Sequence, residues 1–227
     1  MKRILIIEDE ADVVDLLTLN LRRAGQFTIS TATDGTLGLR MAREQFPALI
    51  VLDLMLPGMD GFEVCRLLRI DGATREIPII ILSARVDAVD RERGFELGAD
   101  DYVTKPFSPR EVVLRVKALA QRENQDSVRG LDWTSDGVAI SGQRHEVTVG
   151  GRKVCLTAIE FRLLTHLIET RGRVQSRDSL LEQVWDYAGS MTTRTVDSHI
   201  LRLRKKLGKA SDVIETVRSY GYRFRQS

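Results

Sequence analysis

Residues 48–61 run Ala-Leu-Ile-Val-Leu-Asp-Leu-Met-Leu-Pro-Gly-Met-Asp-Gly, and the acid in their middle, Asp53, organises the reading of the whole chain. Leu49–Leu52 is unbroken apolar sequence, which suits a strand covered on both faces in a parallel sheet. A carboxylate placed where such a strand ends lies at the carboxyl edge of the sheet, where open α/β folds gather their ligands. Pro57 and Gly58 then turn the chain away.

Similar short runs flank this one. Ile4–Ile7, Thr28–Ala32, Ile79–Leu82 and Tyr102–Thr104 alternate with amphipathic segments, so the N-terminal half is expected to be an α/β fold with a five-stranded parallel sheet. Polar groups follow three of these runs: Glu8-Asp9, Ser83 and Lys105-Pro106. Ser108-Pro109-Arg110-Glu111 is a helix start, with Ser as cap and Pro in the first turn, and that helix is expected to end near Arg122. Glu123–Ser127 is polar and aperiodic, which divides the chain into domains at 1–122 and 129–227 joined by a linker at 123–128.

The 227 residues suit two domains, each with its own core. No apolar stretch approaches the roughly 20 residues that span a bilayer. Met1-Lys2-Arg3 leads directly into a strand, so no signal peptide is expected. Cys65 and Cys155 fall in different domains, which argues against a disulfide and for a reducing, cytoplasmic setting. Charge is unevenly divided. Residues 1–120 carry 16 Lys/Arg against 19 Asp/Glu and residues 121–227 carry 18 against 13, so the halves have net charges of −3 and +5. Six of the cations lie in Thr192–Lys209, and this concentration points to a polyanionic partner.

After the linker, Leu131–Leu156 alternates apolar and polar residues around Asp136-Gly137 and Gly150-Gly151, the signature of tight antiparallel hairpins. Thr157-Ala158-Ile159-Glu160 is a capping box that opens a helix through Phe161, Leu164, Leu167 and Ile168. Ser176–Trp185 is expected to be a second helix and Thr193–Leu207 a third. Asp212–Arg225, with Ser219-Tyr220-Gly221-Tyr222, is expected to be a closing hairpin. Three helices and a terminal hairpin make an α+β winged helix-turn-helix. In the third helix Val196, Ile200, Leu203 and Leu207 form an apolar stripe. Arg194, Thr195, Ser198, His199, Arg202, Arg204, Lys205 and Lys206 are then expected to face DNA, supplying donors to phosphates and base edges in the major groove. His199 has no Cys or second His at ligand spacing, so it suits a phosphate or base contact better than a metal. Leu201 either touches a thymine methyl or packs at the domain edge.

Together, Glu8-Asp9, Asp53, Ser83-Ala84, Tyr102 and Lys105-Pro106 resemble the receiver domain of bacterial response regulators, and the C-terminal half resembles the winged-helix output domain of the OmpR/PhoB family. The likeness runs from Lys2 to Arg225, and it implies a flavodoxin-like, doubly wound five-stranded sheet for the receiver. It implies a two-component transcription factor whose Asp53 takes a phosphoryl group from the phosphohistidine of a sensor histidine kinase. In-line transfer needs charge neutralised on the moving oxygens. Mg2+, a hard ion that prefers oxygen ligands, fits Asp9 and Asp53 directly and Glu8 through water, and the resemblance adds the Met55 backbone carbonyl. Lys105 would supply a fixed cation, aimed by the cis Lys-Pro bond typical of the family, and Ser83 a hydroxyl donor. The resemblance further implies a Ser83–Tyr102 aromatic switch and a phosphorylation-dependent homodimer, with Arg91–Glu111, Asp101–Arg115 and Asp100–Arg122 as intermolecular pairs. It also implies a wing of Thr216, Arg218 and Tyr220, with Tyr222 in the core. Tandem DNA half-sites and a loop at Asp186–Met191 that meets RNA polymerase complete the expectation. Arg85 and Met55 border the site and are expected to set the lifetime of the phosphoryl group.

Each residue alone has a plainer reading. Glu8, Asp9 and Glu10 suit a helix N-terminus, Ser83 a strand-end turn, Lys105 a surface and Tyr102 a half-buried strand. Their joint occurrence in this order favours the phosphoacceptor site. The competing class is a phosphate-independent DNA-binding regulator with a degenerate receiver. A haloacid-dehalogenase-type phosphatase needs a second Asp two residues after the nucleophile. That position is Met55, so the chain is not expected to act as an enzyme with rapid turnover.

Overall fold

The computed structural model describes residues 1–25, 27–84, 87–120, 131–185 and 194–226, apart from the side chains of Ala88, Glu92 and Arg194. The chain divides into two compact units, 1–120 and 121–227. The linker expected at 123–128, Arg85, Arg122 and the loop Asp186–Met191 fall outside the described residues.

In the first unit, strands β1 (Lys2–Ile7), β2 (Phe27–Ala32), β3 (Leu49–Asp53), β4 (Ile79–Ser83) and β5 (Asp101–Thr104) alternate with helices α1 (Ala11–Arg23), α2 (Gly35–Gln45), α3 (Gly61–Ile70), α4 (Ala88–Glu96) and α5 (Pro109–Ala120). All strand pairs are parallel and the order is β2-β1-β3-β4-β5. The central strands are apolar because helices cover both faces. Ile4–Ile7, Leu49–Leu52 and Ile79–Leu82 are essentially without solvent exposure, and full burial of each such side chain is worth about 1.5–3 kcal/mol. Helix starts follow from side-chain caps. Asp34 accepts from Leu37 N–H and Asp60 from Phe62 N–H. The strand order reverses between β1 and β3, which opens the crevice at the carboxyl ends of β1, β3 and β4.

The second unit begins with an antiparallel sheet of β6 (Asp132–Ser135), β7 (Val138–Ser141), β8 (Glu146–Val149) and β9 (Arg152–Val154). Asp136 and Gly137 have φ of 50° and 76°, the two left-handed residues that a two-residue type I′ hairpin requires. Helices α6 (Ala158–Glu169), α7 (Arg177–Trp185) and α8 (Arg194–Leu207) follow, and β11 (Ile214–Val217) and β12 (Gly221–Phe224) close the chain as a hairpin. A two-residue strand, β10 (Gln175–Ser176), joins that hairpin through β12. Periodicity assigns Ser176 to the second helix. Instead it sits in β10 and its Oγ accepts from Ser179 N–H, capping α7. The capping box at α6 is complete: Thr157 Oγ1 accepts from Glu160 N–H and the Glu160 carboxylate accepts from Thr157 N–H. Trp133 meets Phe224 edge-on at 5.2 Å, tying the first sheet of this unit to its last strand.

Candidate functional site

Asp53 ends β3, buried, between β1 and β4. Its Oδ1 accepts from Met55 N–H at 3.0 Å and its Oδ2 from Lys105 Nζ at 2.7 Å. Lys105 follows β5, across a cis peptide bond from Pro106. The ammonium also reaches Glu8 Oε2 at 3.0 Å and Glu10 Oε1 at 2.8 Å, so one cation holds three carboxylates from two strand ends and the start of α1. Glu8, Glu10 and Asp53 each offer an oxygen within 4.8 Å of the others, an all-oxygen set of the kind a hard divalent ion takes. Burial, with the neighbouring Asp53 charge, pushes the Glu8 carboxyl up to about 7. Burial pulls the Lys105 ammonium down, but its hydrogen bonds to Asp53, Glu10 and Glu8 outweigh that and raise it.

Asp9, which the sequence reading makes a direct metal ligand, is exposed and stands outside this described cluster. Glu10 takes the place beside Lys105. It is also the cap position of α1, yet its side chain makes no cap hydrogen bond, so a residue that suits a helix-end charge belongs to the site. The sequence signal is present in the Glu-Asp-Glu run but does not say which acids point inward.

Ser83, fully buried, ends β4 beside Asp53, and Lys105 N–H bonds its carbonyl. The Tyr102 ring is buried on β5, 6.4 Å from the Phe95 ring at a tilt of 54°, with the Arg91 guanidinium 5.8 Å from its centroid. Gly94 makes room for it: a Cβ there would lie 2.9 Å from Ile81 Cδ1 and 3.3 Å from the tyrosine ring.

Three of the residues expected in pairs across a dimer, Asp100, Asp101 and Arg115, have partners within the single chain. Asp101 and Arg115 are both buried and pair with each other inside one chain, Arg115 Nη1 to Asp101 Oδ2 at 2.7 Å, and Arg115 also binds Glu111 one turn earlier. Burial raises the Asp101 carboxyl, although the Arg115 charge draws it down. Asp100 is fully buried and pairs with Arg69 at 2.7 Å. The spacing of four between Glu111 and Arg115 puts both on one side of α5 but does not say whether that side faces out. Here α5 turns that side toward the strand it follows. Arg91 and Glu111 remain at partial exposure.

The second unit corrects the recognition-helix reading similarly. Thr195, His199 and Arg202 are buried, one stripe over from Val196, Ile200 and Leu203, so the inward sector of α8 is wider than the apolar pattern suggests. Arg202 Nη2 lies 2.6 Å from His199 Nδ1, and His199 packs edge-on against Trp185 at 5.0 Å. Arg202 Nε is 3.6 Å from Glu160 Oε1, and Lys206 bonds the other oxygen of the same carboxylate. Burial raises the Glu160 carboxyl, but Arg202 and Lys206 more than offset that and hold it below its usual value. Its contribution to stability is therefore present above pH 4.5 and is lost as pH falls further. Arg202→Ala, expected from sequence to lose DNA contacts, should instead destabilise this unit by about 3 kcal/mol, because it strips a buried carboxylate of one partner. Urea unfolding followed by tryptophan fluorescence checks this, since Trp133 and Trp185 are the only tryptophans and both lie in this unit. An unchanged midpoint would refute it.

Ser198 and Arg204 on α8 are partly exposed, Lys205 is exposed, and Arg194 has no described side chain. Arg204 donates to Ile214 O and Thr216 Oγ1, bracing the hairpin against α8. Thr216, Arg218 and Tyr220 are exposed on that hairpin, whereas Tyr222 is buried and donates to Asp197. Asp197 also accepts from Arg177. Burial, reinforced by the bond to Asp197, pushes the Tyr222 phenol up to about 12.

Comparison with known proteins agrees with this architecture. Residues 4–117 match the response regulator receiver domain and residues 151–224 the C-terminal domain of transcriptional regulatory proteins. The chain belongs to the response regulators of the OmpR/PhoB type. It is 43% identical over 225 residues to the DNA-binding response regulator MtrA of Mycobacterium tuberculosis (strain ATCC 25618 / H37Rv), covering 98% of this chain and 96% of that one. It is 43% identical over 232 residues to the transcriptional regulatory protein ResD of Bacillus subtilis (strain 168), covering 98% and 95%. Among solved structures it is similar to a cysteine-to-serine mutant of RitR over the full length of both chains, with a TM-score of 0.79 and 30% identity. The chain is a response regulator with a DNA-binding effector domain and regulates transcription within a two-component system. Among the described residues no helix is long and apolar enough to cross a membrane.

Proposed function

We propose that Asp53 accepts a phosphoryl group from the phosphohistidine of a sensor histidine kinase, that the receiver then dimerises, and that the dimer binds tandem DNA half-sites. The observation that carries this reading is the Lys105 ammonium, 2.7 Å from Asp53 Oδ2 at the carboxyl edge of the sheet with Ser83 on the adjacent strand end. Asp53 forms the bond to phosphorus and the histidine nitrogen leaves. Lys105 stays within reach of the transferred oxygens, and Ser83 supplies a hydroxyl on the other side. The acidic cluster fits Mg2+, which when bound neutralises phosphoryl charge. Glu8, Glu10 and Asp53 would hold it, and the Met55 backbone carbonyl and Asp9, the latter only by turning inward from its exposed position, would be the further oxygens the family resemblance supplies. Met55 stands two residues after Asp53, where a haloacid-dehalogenase-type phosphatase carries its acid/base Asp.

Output follows from Ser83 and Tyr102 on neighbouring strands, where new phosphoryl bonds at Ser83 shift the packing of the ring and of α4. Arg91 and Glu111 are the surface charges suited to a twofold contact, and at exposed positions each pair is worth about 0–1 kcal/mol, so they choose the partner more than they strengthen it. Lys205, Arg194, Thr216, Arg218 and Tyr220 suit DNA backbone and groove contacts, and the loop 186–191 suits RNA polymerase. Sedimentation with Mg2+, before and after adding beryllofluoride, tests the switch. We expect a monomer to become a dimer. A species unchanged by beryllofluoride, in a protein that also takes no label from acetyl phosphate, would favour phosphate-independent DNA binding.

A further inference from the structure

Successive residues of an α-helix are turned by roughly 100°, so the buried sector of α8 locates its crest. Val196, Ile200 and Leu203 on one stripe and Thr195, His199 and Arg202 on the next occupy roughly half the circumference. The residue opposite the middle of that half is Leu201, and it is 62% exposed. Ser198 and Lys205 lie on one side of it. On the other, Asp197 is engaged by Arg177 and Tyr222, and Arg204 by Ile214 O and Thr216. Among the described side chains of this helix the foremost is therefore a branched hydrocarbon, with a cation beside it.

A single exposed leucine on an ordinary surface needs no explanation. At the crest of a helix in a DNA-binding domain it has a chemical consequence. The major groove, roughly 12 Å wide, admits a helix whose flanks reach phosphates while its crest meets base edges. Those edges are hydrogen-bond donors and acceptors except at one place, the C5-methyl of thymine. A leucine set against the amino group of cytosine or the N7 and O6 of guanine desolvates them without return. Against a methyl it buries apolar surface on both partners.

We propose that Leu201 is a base-reading residue that takes a thymine C5-methyl and selects thymine over cytosine at one position in each half-site. The inference rests on α8 being the helix that enters the groove. The full chain, with Mg2+ and beryllofluoride, is used to select a duplex from a randomised library. Each thymine of the selected duplex is then replaced in turn by deoxyuridine, which lacks only the methyl. Wild type should lose about four-fold in affinity at one thymine per half-site, the worth of one buried methyl at about 0.8 kcal/mol. Leu201→Ala, at an exposed position, should fold normally, bind the parent duplex at least about four-fold more weakly, and be indifferent to that replacement. A selected duplex in which no thymine methyl matters, or equal sensitivity in Leu201→Ala, would overturn the assignment while leaving DNA binding intact. Failure of wild type to select any duplex would overturn the groove reading, and the assignment with it.

Discussion

Asp53→Asn should take up phosphoryl label only to background from acetyl phosphate or a kinase, should fail to dimerise with beryllofluoride, and should nevertheless unfold at a higher denaturant concentration than wild type in metal-free buffer at about pH 8. The first two results follow from the amide, which neither attacks phosphorus nor holds a beryllofluoride. The third follows from crowding of charge. Three carboxylates share the Lys105 ammonium, and burial together with Asp53 raises Glu8 from 4.5 to about 7. A carboxyl whose pKa is raised by folding binds its proton more tightly in the folded state. Its contribution is fully present below pH 4.5 and is lost as pH rises through about 7. Above that pH the receiver carries the unfavourable pair of ionised Glu8 and Asp53. Removing the Asp53 charge relieves it by about 1 kcal/mol. The advantage should shrink as pH falls from about 7 toward 4.5, and Mg2+ should reverse it by stabilising wild type alone. Equal midpoints across the pH range would show that Lys105 already compensates the cluster fully.

The receiver was legible because four of its strands are marked twice, by an apolar run and by the chemistry at the end. Ile4–Ile7 leads to Glu8, Leu49–Leu52 to Asp53, Ile79–Leu82 to Ser83 and Tyr102–Thr104 to Lys105, and the sheet places all four ends on one edge. Orientation was less legible. Asp9 and Glu10 are neighbours of equal charge, and the turn from β1 into α1, absent from any composition or spacing, decides that Glu10 meets Lys105. The same limit explains α8. Periodicity locates its apolar stripe, but a helix packed against both α6 and α7 buries a wider sector than four apolar residues can mark, and His199 and Arg202 enter with it because Trp185 and Glu160 receive them. Asp101 and Arg115 similarly carry the right charges for a pair, while sequence alone could not say that both would be buried and joined within one chain.

Gly61→Ala should be the most damaging single methyl in the receiver. The sequence reading places the turn after Asp53 at Pro57 and Gly58 and finds no reason for Gly61. Gly61 opens α3 immediately after its cap, Asp60, and donates its N–H to Leu54 O at 3.1 Å. A Cβ there would lie 2.2 Å from the Asp53 carbonyl oxygen and 2.6 Å from Leu54 Cα. Both neighbours are backbone, so no side chain can swing aside. Either α3 lifts from the end of β3 or β3 moves, and overpacking of this kind costs about 3 kcal/mol. Any displacement of β3 is also a displacement of Asp53 from Lys105, so labelling by acetyl phosphate should slow even in the fraction that remains folded. Gly58→Ala separates the two causes. Its φ of +77° is costly for alanine, but nothing lies within 4 Å of its Cβ, so it should lose only about 1 kcal/mol and label at close to the wild-type rate. Thermal unfolding by circular dichroism ranks the two. If Gly58→Ala proves the worse, the second glycine of the motif is dispensable, and the tight seating of α3 on the strand end is not what holds the phosphoacceptor in place.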